Sequence, residues 1–248
     1  MSFDRAYAAA VLVAGFMLLP AAPAVAQGEI QITHSKALAG NVTSGDTAGY
    51  PVTLTQSGAY ELSGNLVVPA GKTGIIVAAD YVTIDLNGFN LHGGGTANYG
   101  FTGTNGIDAV TIQNGTIHNF RYDGIIAKGN YWIVDNMRSI ENGRDGIVVG
   151  ARAIVRSSVS SYNGRNGLLT GQSAVIQGNT VSDNGGFGIS THRSTVNGNA
   201  INSNYLVGLS GGATSGYSGN TLFFNNSSGE QAEFMLPQHP NACSGACP

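Results

Sequence analysis

Charge is scarce in this chain of 248 residues: Asp, Glu, Lys and Arg make up 10% of it, eleven basic against fourteen acidic, for a net charge of −3. About a quarter of residues are charged in an ordinary globular domain. Lysine occurs only at Lys36, Lys72 and Lys128. With no basic stripe and no block of like charge, the electrostatic footprint of a nucleic-acid binder is missing. No glycine-rich loop joins a strand to a helix, so nucleotides have no cradle. Threonines are scattered rather than set in one row, which excludes an ice-binding face. The chain has two cysteines, Cys243 and Cys247, and one tryptophan, Trp132.

Long apolar runs are also missing beyond the first residues. Arg5 precedes an apolar run from Ala6 to Leu19, then Pro20, Pro23 and Ala24-Val25-Ala26. A basic start, about a dozen apolar residues and an Ala-x-Ala end describe a secretory signal peptide over residues 1–26. The run is shorter than the roughly 20 residues a spanning helix needs. A secreted or periplasmic protein with no membrane span after cleavage is expected. Removing 26 residues leaves 248 − 26 = 222, enough for one domain.

Glycine is what the chain has in abundance, 37 residues. Five glycine-plus-aliphatic pairs recur in register: Gly124-Ile125, Gly146-Ile147, Gly167-Leu168, Gly188-Ile189 and Gly208-Leu209, at steps of 22, 21, 21 and 20 residues by subtraction. A fixed period of this size marks a solenoid whose repeats bury their apolar sides only by stacking. Val110, Trp132, Ala153, Ala174 and Ser194 align two positions before Ile112, Val134, Val155, Ile176 and Val196. Residues i and i+2 share one face of a strand, so both columns point inward. A further column, Asn142, Asn163, Asn184, Asn204 and Asn225, predicts amides stacked along the axis at turns that tolerate left-handed backbone. Three short strands per coil give an all-β fold, a single right-handed parallel β-helix of about seven coils, roughly 35 Å long. An N-terminal cap is expected over 27–70, the β-helix over 71–226, and a C-terminal cap with a cysteine-containing tail over 227–248. Phe234, Met235 and Leu236 are expected to cover the last coil. For Cys243 and Cys247 a local disulfide, an exposed tail and a metal clip with His239 all stay open.

The segments Tyr81-Val82-Thr83-Ile84-Asp85-Leu86-Asn87-Gly88 and Val110-Thr111-Ile112-Gln113-Asn114-Gly115-Thr116-Ile117 resemble coils of right-handed parallel β-helix repeat proteins, the group with the pectin-lyase-like fold. The resemblance runs from about Tyr60 to Asn226. It implies an exported protein whose relatives are polysaccharide lyases, hydrolases and epimerases, with others structural or adhesive. The chain departs from the catalytic members. It has no Asp-Pro-His string like that of β-helix alginate epimerases, and no Asn-Thr-Asp or Arg-Ile-Lys string like those of pectin hydrolases.

One patch stands out against the charge-poor background. Arg121-Tyr122-Asp123, Arg144-Asp145 and Arg165-Asn166 occupy the column just before the glycine-aliphatic pairs. Two carboxylates in an apolar core are costly, so these side chains are expected to face water from a turn. There Asp123, Asp145, Arg144 and His118 are the candidate catalytic groups, and Arg121, Tyr122, Arg165 and Asn166 the candidate substrate contacts. Arginine grips a uronate carboxylate bidentately, and paired aspartates suit acid/base work or Ca²⁺. The implied partner is a uronate-containing polysaccharide, and an enzyme here would be a lyase, an epimerase or a glycoside hydrolase. The alternative is a non-catalytic surface or scaffold protein, with these charges as a turn ladder worth about 0–1 kcal/mol per pair. His92 and His118 are expected to stack on one outer face. Gln113, Asp135, Arg156, Gln177 and Asn197 form a polar row, with an ion pair between Asp135 and Arg156. Only Gly93 to Asn105 is long enough to overhang a face.

Overall fold

A computed structural model describes residues 28–248 except Ala213, His239, Ala246 and Pro248. The signal-peptide expectation and the histidine of the metal clip lie outside the described residues. The rest winds into an all-β right-handed solenoid with three strand columns, here called the first, second and third faces. The first face is a nine-stranded parallel ladder. Its strands begin at residues 52, 75, 101, 125, 147, 168, 189, 209 and 232, so the coil lengths are 23, 26, 24, 22, 21, 21, 20 and 23 by subtraction. Nine turns therefore replace the seven expected, and eight intervals span roughly 38 Å. The second and third faces are joined at a tight corner, where Thr111–His118 and Ile133–Ile140 each run through both as one strand.

Inward residues build one continuous core. Val110, Trp132, Ala153, Ala174 and Ser194 are buried, as are Ile112, Val134, Val155, Ile176 and Val196. Trp132 also donates its Nε1–H to the Ile107 carbonyl at 2.8 Å, so the indole packs and pins a corner. The glycine column exists because successive coils touch there. A Cβ on Gly146 would lie 2.6 Å from Asn163 Nδ2, 2.8 Å from the Gly167 carbonyl, and against Ser160 Oγ.

Corners are held by side-chain ladders. Asn142, Asn163, Asn184 and Asn204 each donate Nδ2–H to the Oδ1 of the next member, at 3.0, 3.0, 2.9 and 2.8 Å, ending on Asn225. The same oxygens accept the backbone N–H of the preceding asparagine. The left-handed residue is the one before each amide (Glu141, Tyr162, Asp183, Ser203, Phe224), not the asparagine itself. The amides are there to satisfy buried backbone. Gln231 closes the row by accepting from Asn225 N and Nδ2. A second ladder, Asn179, Asn199, Asn220 and Asn241, repeats the scheme at the corner between the second and third faces.

The ends differ from expectation in detail. Among the described residues a short α-helix, His34–Ala39, is capped by the Thr33 hydroxyl and buries Ala37. At the other end only Met235 of the three expected covering residues is buried, while Phe234 and Leu236 are exposed. Cys243 and Cys247 form a disulfide, which uses the thiols a metal clip would need.

Candidate functional site

Asp123, Asp145 and Asn166 stack at the entry to the first face, but their side chains turn in rather than out. Asp123 is 0% exposed and Asp145 3%. Asp123 Oδ1 accepts the Asp145 N–H at 2.9 Å. Asp145 Oδ1 accepts both the backbone N–H and Nδ2–H of Asn166, each at 2.9 Å. Asn166 Oδ1 accepts the Phe187 N–H at 3.0 Å. This is a third ladder, in which each carboxyl or amide satisfies the backbone of the coil above. The expectation that these carboxylates face water is thus corrected. Hydrogen bonds from backbone N–H, not exposure, offset the cost of burial.

The arginines stay outside. Arg144 Nε lies 3.6 Å from Asp123 Oδ1, and Arg165 Nη1 lies 3.9 Å from Asp145 Oδ2, while 39% and 54% of the two arginine side chains remain exposed. The Tyr122 ring carries two guanidinium groups, Arg121 at 5.3 Å and Arg144 at 5.9 Å from its centroid. Tyr99, supplied by the Gly93–Asn105 stretch, packs tilted against the Tyr122 ring with centroids 5.2 Å apart. That stretch is tied to the edge by the Arg121 and Tyr122 N–H groups, which donate to the Ala97 and Asn98 carbonyls.

Burial pushes the Asp123 carboxyl above the usual carboxylate range, against the opposing pull of the Asp145 N–H and Arg144. Among the described residues its Oδ2 has no hydrogen-bond partner. A carboxyl raised in the folded state binds its proton more tightly there than when unfolded. Its contribution is therefore fully present below the unfolded value and lost as pH rises through the folded one. Asp123→Asn removes that buried charge and keeps the acceptor for the Asp145 N–H. Urea denaturation of both proteins at pH 4 and pH 7 should show the stability of the wild type, relative to the variant, falling between the two.

Cation binding fits the stacked aspartates poorly, because Asp145 Oδ1 already accepts two N–H groups and a guanidinium lies beside each carboxylate. Among the described residues no three His, Cys, Asp or Glu side chains gather to hold a metal ion. His118 stands apart from this edge, on the third face. It stacks on His92 in the coil below with centroids 4.4 Å apart and Nδ1 atoms 3.4 Å apart, as the sequence leads one to expect. Burial and the His92 charge lower its basicity, and Glu141 partly opposes them. Its ring meets His92 and Asn119 rather than Arg121, Tyr122 or Asp123. The Asp135–Arg156 ion pair forms at 2.7 Å.

The open side of the first-face strands bears Ile76, Thr102, Ile126, Val148, Leu169, Ser190 and Ser210 at matching register positions. None of these titrates. Sequence reasoning missed Tyr99, and it missed a polar trough lined by Asp85, Asn114, Asn136 and Arg138 at the opposite corner. The signal for the trough is a difference in turn length between neighbouring coils, visible only once the strands are aligned.

Residues 50–228 match the family described as a right-handed β-helix region. The chain belongs to that right-handed β-helix family. No curated protein matches this β-helix chain in sequence. Among solved structures, the Azotobacter vinelandii mannuronan C-5 epimerase AlgE4 A-module is similar, with a TM-score of 0.57 and 14% identity, over 83% of this chain and 70% of that one. Pectate lyase Pel9A gives a TM-score of 0.51 and 13% identity, over 82% of this chain and 68% of that one. The Dettilon tailspike protein gives 0.46 and 14%, and the β-helix chain spans 44% of its length. At these identities the likeness is one of fold.

Proposed function

We propose that this protein is exported and binds an acidic, uronate-containing polysaccharide along the Arg121–Tyr122–Arg144–Arg165 edge, without cleaving it there. One observation carries the reading: the carboxylates of this column are buried in a ladder, while its guanidinium groups and tyrosines stand outside. A cationic, aromatic edge whose own aspartates are buried grips carboxylates and sugar faces, and it offers no exposed carboxylate of this column as a base. Two proteins of similar fold are named for mannuronan and pectate, both uronate polymers. The disulfide suits an oxidising compartment, in keeping with export.

The test is a titration with polymannuronate, polygalacturonate and neutral dextran. The polyuronates should bind and dextran should not compete at this edge, with affinity falling as salt rises. Arg121→Ala/Arg165→Ala, both at exposed positions, should weaken polyuronate binding about tenfold or more. No unsaturated or shortened product should accumulate. Unchanged binding by the folded double variant would remove the edge from the account. A scaffold role is the second reading, favoured by three inter-coil ladders set at two corners, and it predicts no polysaccharide binding at all.

A further inference from the structure

The corner between the second and third faces holds an open trough of about 460 Å³. Its origin is a change in turn length. Strand register pairs Asp85 with Gln113 and Asn90 with Thr116, so one coil takes five steps around the corner where the next takes three. The longer turn leaves Asn87 and Gly88 as a ledge over a floor of Asn114 and Gly115. Gly115 is required by that fit, since a Cβ there would meet Leu86 Cβ and lie 2.8 Å from the Phe89 carbonyl. Asn136 and Arg138, from the following coil, complete the lining.

The carboxylate of Asp85 and the amides of Asn114 and Asn136 are already fixed in place. Asp85 Oδ1 accepts the Asn87 N–H at 2.7 Å, and Oδ2 accepts Gln113 Nε2–H and Asn114 Nδ2–H, each at 2.8 Å. Burial alone would raise the Asp85 carboxyl, but these three hydrogen bonds outweigh it and hold the group below the usual range, so it is ionised at neutral pH. Asn114 Oδ1 in turn accepts Asn136 Nδ2–H at 3.0 Å. Among the described residues Arg138 makes no ion pair and no side-chain hydrogen bond, and it is exposed.

We infer that this trough is a second carbohydrate site, which takes an uncharged sugar ring through adjacent hydroxyl groups. The lining offers carboxylate and amide acceptors beside amide and guanidinium donors, the pairing that two neighbouring hydroxyls satisfy. It carries one fixed anion and one free cation, so its net charge is zero. A uronate or phosphate would meet Asp85, and a metal ion would meet Arg138. Groups pinned before the ligand arrives lose little freedom on binding. The site lies across the third face from the arginine edge and does not depend on it.

The experiment is a heteronuclear NMR titration of the full chain with neutral trisaccharides of glucose, mannose and galactose, each to 20 mM. At least one should shift the amide signals of Asn114, Thr116 and Asn136. Arg138→Ala, at an exposed and unpartnered position, should weaken that binding about tenfold or more while leaving the fold and polyuronate binding unchanged. Asn136→Ala, also exposed, should weaken it too. The inference is overturned if no trisaccharide binds, if binding survives Arg138→Ala unaltered, or if the shifts fall at Arg121 and Tyr122 instead.

Discussion

Asn163→Ala should lower stability by about 3–5 kcal/mol, and urea unfolding measures it directly. The asparagine sits mid-ladder and is 2% exposed. Its Oδ1 accepts both N–H and Nδ2–H of Asn142, and its Nδ2 donates to Asn184 Oδ1, Ser139 O and Ser160 Oγ. Truncation leaves the Asn142 backbone donor, its amide and the Ser139 carbonyl buried without that partner. Each such group costs about 1–3 kcal/mol, and relaxation of the coil recovers part of the sum. The exposed Gln177→Ala is the control and should stay within about 0.5 kcal/mol of wild type. An Asn163→Ala protein as stable as the control would mean that the amide column is ornament rather than support.

Gly146→Ala should be nearly as damaging, through crowding instead of loss. The added methyl would meet three groups at once, and one of them, the Gly167 carbonyl, belongs to the backbone of the next coil and cannot rotate away. Overpacking of this kind costs about 1–3 kcal/mol and sometimes more. In a domain of this length about 3 kcal/mol lowers Tm by roughly 6–12 °C, which calorimetry resolves. The backbone at Gly146 is not left-handed, so relief of strain cannot explain the glycine. Ser160→Ala in the same background should recover only part of the loss, because the carbonyl contact remains. Full tolerance of alanine would show that the coils can part at no cost.

Much of the fold could be read because the same contact recurs. Gly124, Gly146, Gly167, Gly188 and Gly208 face the same neighbour on each coil, so the spacing is written into the chain. The earlier coils hide because their corners vary in length: Gly74-Ile75 and Gly100-Phe101 occupy the same column at intervals of 26 and 24 residues. That is why the count fell short of nine. The column of Asp123, Asp145 and Asn166 was legible as a column, but the direction of its side chains was not. The rule that carboxylates avoid the interior gave the wrong face, because it left out the backbone N–H groups of the coil above. Asp85 and Asn114 lie in the segments that resemble β-helix coils, but nothing there or around Arg138 marks a site. They meet only because a five-step turn follows the register into a three-step one.

The central claim is that the aspartates hold the coils together and the arginines outside them hold the polymer. Polyuronate titration of Asp123→Asn/Asp145→Asn tests it most directly, with circular dichroism to establish that the coils remain. Each asparagine keeps the acceptor its neighbour's backbone needs and leaves the guanidinium groups without an acidic competitor. The account predicts affinity equal to or tighter than that of the wild type. A tenfold or greater loss of binding by the folded variant would contradict it and return the carboxylates to the site.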